Sequence, residues 1–250
     1  MEQNKKTKVL VLVEGAKTDV QLMQKLFDIY GIGSSHTIVS YNTNIYVLYQ
    51  QMFSDGNPED YDLLAVLKSH ENDPLKKKLF ETAYSDVLLI FDLDPHDPLF
   101  SKQKIEEMVT YFHESSDMGK LYLNYPMVES FYHMKSIPDP DYMGYTATLQ
   151  ELSAKKYKER VRNENRNHSF SKFAVTRAEC NTVIRQNIEK GFALLTDDNK
   201  NVEVLPDSLQ ILRTEMRLLE ETKAISVLCT CIYYVPEYNP NLIAENVAGQ

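Results

Sequence analysis

Val9–Phe27, "VLVLVEGAKTDVQLMQKLF", is the stretch whose reading decides the fold. Val9–Val13 alternates valine and leucine up to Glu14-Gly15, and Val20, Met23, Leu26 and Phe27 then recur at helical spacing. A short apolar run closed by a turn predicts a buried strand over Lys8–Val13, so the stretch reads strand, tight turn, helix over Thr18–Ile29. Lys17-Thr18 after a glycine gives the turn the look of a phosphate loop. That loop requires Gly-x-x-x-x-Gly-Lys-Ser/Thr, whose glycines let the backbone wrap the phosphates. Here Leu10 stands where the first glycine belongs, and Ala16 separates Gly15 from Lys17, so the loop reading fails. What remains is a carboxylate at the mouth of a buried strand, which requires a cation or a basic partner. A metal ion and a salt bridge to Lys17 or another lysine are the two options for Glu14. Gly15 leaves space beside the carboxylate, and Thr18 or Asp19 is expected to cap the helix. Asp19 would alternatively face the helix dipole.

A second apolar run, "DVLLIF" at Asp86–Phe91, ends in "DLDPHDP". If the chain stays extended, Asp92 and Asp94 point the same way and can share a hard cation. Asp97 adds a third acid, and His96 reads as an exposed loop residue. A solvated acidic turn is the plain alternative. A third element, "LYLNYPMVESFYHM", places Glu129 in the first turn of a helix expected over Met127–Met134, with Asn124 and Ser130 able to orient a carboxylate or phosphate and His133 one turn on. Through about residue 135, strands alternate with helices. That order predicts a mainly parallel sheet flanked by helices, with sites beyond the carboxyl ends of its strands. Glu14 and the Asp92/Asp94 pair should then share one sheet edge.

Beyond "SIPDPDYMGY" the pattern changes to charged helices, expected over Thr148–Asn163, Thr176–Phe192 and Ser208–Glu221, with a loop at "TDDNKNVEVLPD" and an apolar run, Ala224–Tyr234, that fits either helix or strand. Two regions follow: residues 1–135, an α/β domain, and residues 136–250, a mostly helical C-terminal part. The net charge of −9 argues against a protein that simply coats nucleic acid. Its distribution says more. Residues 1–135 hold 13 Lys and no Arg against 20 acids, whereas every arginine lies at or beyond Arg160. Arginine is the better bidentate phosphate ligand, so any grip on a polyanion belongs to the second half. "AKKYKERVRNENRNHSFSK" offers Lys155, Lys156, Lys158, Arg160, Arg162, Arg166 and Lys172, with a solvated helix face as the alternative. Three cysteines form no disulfide framework, and Cys229-Thr230-Cys231 in an apolar run reads as a buried element. No apolar run is long enough to span a bilayer, and the polar N-terminus leads straight into a strand. A reduced, cytoplasmic protein is expected, with no membrane partner.

Strand-Glu-Gly followed by strand-Asp-x-Asp resembles the TOPRIM fold over about residues 7–135. "VEGAKTD" looks like the corresponding motif of OLD-type nucleases and of the RloB-like proteins of restriction and defence loci. "NYPMVESFYHM" is similar to the N-x-P-x-x-E-x-W-x-x-H stretch of the latter, with Phe131 and Tyr132 around the aromatic position. The resemblance implies a Rossmann-like sheet and a Mg²⁺ or Mn²⁺ site for phosphodiester chemistry. It makes Glu14, Asp92 and Asp94 the core acids, with Asp19 and Glu129 completing a second metal position. Asp19 is shorter than the glutamate of many relatives. For an assisting basic residue the candidates are His133, Lys135 and Lys172. The implied protein is an antiphage endonuclease cutting DNA or RNA, tRNA included, with a separate ATPase as partner; its oligomeric state is open, a homodimer being one option. Two alternatives stand beside it. One is a haloacid-dehalogenase-type phosphohydrolase, whose Asp-x-Asp normally lies on the first strand. The other is a non-catalytic TOPRIM-like module for assembly or sensing.

Overall fold

The computed structural model describes residues 8–54, 56–114, 116, 118–195 and 205–244. The polar N-terminal segment and most of the loop expected at "TDDNKNVEVLPD" lie outside them. The chain divides into two compact units. The first comprises residues up to Asp92 together with Leu99–Tyr122; the second comprises Leu93–Pro98 and the chain from Leu123. Residues 123–135 therefore group with the C-terminal part.

The first unit is α/β. Its elements are β1 (Val9–Val13), α1 (Thr18–Tyr30), β2 (His36–Ser40), α2 (Ile45–Phe53), α3 (Leu63–His70), α4 (Pro74–Leu79), β3 (Asp86–Asp92), α5 (Lys102–Tyr111) and the start of β4 (Lys120–Asn124). The sheet order is β2-β1-β3-β4. β1 pairs in parallel with β2 on one side and β3 on the other, Val13 lying opposite both Ser40 and Ile90. All five residues of β1 are buried, as are all but the first of β3. Each buried valine or leucine contributes about 1.5–3 kcal/mol relative to exposure. Asn44, Asp62, Asp73 and Ser101 cap α2 to α5, each accepting from a backbone N–H in the first turn. Gly31 closes α1 in the left-handed region (φ 68°), where a side chain would be strained. The chain passes from β1 to one side of the sheet and then returns to the other side for β3. The β1/β3 boundary is therefore the switch point, where α/β sheets place their sites.

The second unit is built mainly from helices: after β5 (Thr146–Thr148) come α6 (Leu149–Ser153), α7 (Tyr157–Glu164), α8 (Arg177–Leu194), α9 (Ser208–Thr222), β6 (Ala224–Ser226) and α10 (Tyr234–Tyr238). β5 and β6 form an antiparallel pair. Three expectations need correction. Met127–Met134 is not an α-helix but a 3₁₀ turn over Val128–Tyr132. The single helix expected over Thr148–Asn163 is two, because Lys155 adopts a left-handed conformation (φ 56°) that an α-helix does not tolerate. The Ala224–Tyr234 run is neither one helix nor one strand: it holds β6, a 3₁₀ turn at Cys231–Tyr233 and the first residue of α10. Cys229 and Cys231 are buried and not disulfide-bonded, as expected of a packed element. Among the described residues no helix is long and apolar enough to cross a membrane.

Candidate metal centre

The parallel register of β1 with β3 continues one residue past β1, where the Glu14 N–H donates to the Ile90 carbonyl at 3.0 Å. The side chain then turns back, and its Oε2 accepts from the Asp92 N–H at 3.1 Å. Glu14 and Asp92 thus share the sheet edge, as their strand-end positions imply. Asp92 is the last residue of β3 and is buried. The extended geometry does not persist to Asp94, which sits in the left-handed region (φ 40°). Its N–H donates to the Pro126 carbonyl at 3.2 Å, and its own carbonyl accepts from Asp97 at 2.9 Å. Despite this bend, Glu14, Asp92 and Asp94 each offer a carboxylate oxygen, and those oxygens all lie within 4.8 Å of one another.

Three carboxylates so close repel unless a proton or a cation intervenes. Burial pushes the Asp94 carboxyl above the usual carboxylate range; His96 and Lys158 draw it back, while Glu129 and Asp97 add to the rise. Asp94 Oδ1 is a buried atom with no hydrogen bond among the described residues. His96 is not a fully exposed loop residue: its Nδ1 is buried and lies 4.0 Å from that oxygen. An all-oxygen donor set with an unsatisfied buried oxygen could hold a hard cation.

Asp19 and Glu129 are not members of this group of three. Asp19 is buried in the first turn of α1, but neither it nor Thr18 caps the helix: Lys17 occupies the cap position, with no side-chain cap bond. Gly15 makes room for Asp19, since a Cβ there would lie 2.5 Å from Asp19 Oδ2. Glu129, 3% exposed, has Oε1 3.1 Å from Lys158 Nζ.

The seven basic candidates divide by partner. Lys158, Arg160 and Arg166 are engaged with Glu129, Glu151 and Glu179, and Arg160 also donates to the Thr146 carbonyl. Lys155, Lys156, Arg162 and Lys172 are exposed. His133 is held between the Tyr157 hydroxyl (3.3 Å) and Glu164 (3.0 Å), and burial lowers its pKa to about 4 in spite of Glu164. That reads as a packed histidine. Lys135 lies over the Tyr145 ring, 4.0 Å from Glu164.

Two buried groups of opposite sign in the second unit have no counterpart among the residues singled out from the sequence. Lys190 Nζ donates to the Tyr142 and Tyr145 carbonyls at 2.9 and 2.8 Å, and Glu215 Oε2 accepts from the Ser226 N–H at 2.9 Å. Both side chains are buried. The helical period could have revealed Glu215, which lies four residues from the apolar Ile211 and Leu219 on α9.

The fold and site together define an α/β chain with a carboxylate group at the switch point of its sheet. No family model, curated protein or solved structure matches the chain.

Proposed function

We propose that the chain is a divalent-metal-dependent phosphodiesterase, an endonuclease of the TOPRIM type that acts on DNA or RNA. The observation that carries this reading is the convergence of Glu14, Asp92 and Asp94 at the end of β1 and β3. These three would hold Mg²⁺ or Mn²⁺, and such an ion supplies an activated water and stabilises charge on a phosphoryl oxygen. The protein's own contribution is placement. The Asp92 N–H orients the Glu14 carboxylate, and the Pro126 carbonyl fixes the backbone at Asp94. The exposed Lys155, Lys156, Arg162 and Lys172 would supply the grip on a polyanion. The biological setting consistent with the motifs is antiphage defence alongside a separate ATPase.

The test is a cleavage assay on plasmid DNA and on total tRNA with Mg²⁺ or Mn²⁺, with and without a genetically adjacent ATPase. Cleavage should stop with EDTA. Glu14→Gln and Asp92→Asn should each lower it by at least about a hundredfold, beyond the roughly 10–100-fold cost of losing an outer-shell partner. Undiminished cleavage by either variant would sink the assignment. A second reading, a metal-binding module without turnover, is favoured by the pairing of Glu129 with Lys158 in place of a free carboxylate. Acid variants that still protect cells against phage, together with a stable captured partner, would select it.

A further inference from the structure

We propose that Lys158 is a built-in second cation: its ammonium takes the place at Glu129 that a second metal ion would need, so the protein loads one divalent ion rather than two. The proposal rests on the metal-site reading above and narrows it.

Glu129 is 3% exposed, and a carboxylate so buried requires a positive charge facing it. Lys158 provides that charge at 3.1 Å from Oε1, while the buried Oε2 makes no hydrogen bond among the described residues. The backbone serves this placement. The left-handed Lys155 ends α6 and lets the chain restart as α7 at Tyr157, which brings Lys158 into its first turn. Its neighbours are anchored: Tyr157 is buried against His133, and Arg160 is tied to Glu151 and to the Thr146 carbonyl. A cavity of about 220 Å³ opens beside it, lined by Asp94, His96, Lys155 and Lys158 among others. A divalent ion entering at Glu129 would meet the ammonium as a like charge and would have to displace it. Lysine suits the role because its charge is compact and rides on a flexible stem.

The experiment is a Mn²⁺ titration of the full chain, with free ion followed by electron paramagnetic resonance. The wild type should bind one Mn²⁺ per chain. Lys158→Met should bind two, and Lys158→Met/Glu129→Gln should return to one. Wild-type binding of two ions, or of one ion by Lys158→Met, overturns the proposal. If Lys158→Met does not fold, Lys158→Gln replaces it with the same expected count, and the wild-type stoichiometry is a test in its own right. Wild type that binds no Mn²⁺ overturns the metal-site reading itself, so the two failures are distinguishable.

Discussion

At Gly15 the missing side chain is a packing requirement. An added Cβ would lie 2.5 Å from Asp19 Oδ2 and 3.2 Å from its Cγ, and the buried Asp19 is short, with little room to swing aside. Gly15→Ala should therefore cost about 1–3 kcal/mol, the usual range for overpacking. Urea unfolding measures it, and the cost should nearly vanish in an Asp19→Ala background because the clash partner is gone. Equal costs in both backgrounds would contradict this account. His133 makes a second residue-scale prediction. Burial holds its pKa near 4, below the ordinary 6.5. Between those values the unfolded chain binds a proton that the folded chain does not, so stability is lost as pH falls from about 6.5 towards 4. Imidazole shifts followed by NMR should stay those of the neutral ring at pH 5.5, and His133→Gln should flatten the pH dependence of the urea midpoint across that window.

Among the elements, the break between α6 and α7 is the departure with the clearest cause. Lys155 holds φ 56° on an exposed side chain, a conformation that costs a residue with a Cβ about 1–2 kcal/mol. Lys155→Gly should thus be neutral or stabilise by up to about 1 kcal/mol in urea, whereas Lys155→Val should destabilise. The same residue marks where sequence reading stops. β1 and β3 were legible because a strand buried on both faces is a bare apolar run, and with them came Glu14 and Asp92 at the sheet edge. The α6/α7 break was not, since no glycine marks the left-handed residue. Asp94 was legible as an acid but not in conformation: its bend depends on a hydrogen bond to the Pro126 carbonyl, far along the chain. The Lys158–Glu129 pair spans two elements and leaves no local periodic trace.

On the scale of the whole molecule the charges sort in an unusual way. The acids outnumber the lysines in the first half, yet among the described residues Lys190 and Glu215, two deeply buried groups of opposite sign, lie in the second unit. Burial lowers the Lys190 pKa to about 7, and Glu215 partly offsets this; burial also raises Glu215. Between pH 7 and 9 the unfolded chain keeps the Lys190 proton that the folded chain releases, so this group makes stability rise with pH there. Glu215 acts in the opposite sense just above its ordinary pKa of 4.5, where the unfolded chain loses its proton first. Lys190→Met removes two buried hydrogen bonds and the positive charge that opposes the rise at Glu215, and should cost about 1–3 kcal/mol at pH 7. Lys190→Met/Glu215→Gln should recover most of that loss. The Tyr142 and Tyr145 carbonyls keep donors in the Tyr145 and Val227 N–H groups, and glutamine still offers an acceptor to Ser226. The double variant should also lose the rise in stability between pH 7 and 9. A double variant as unstable as the sum of its single changes would show that the two side chains stabilise the interior independently, through their backbone hydrogen bonds rather than through each other's charge.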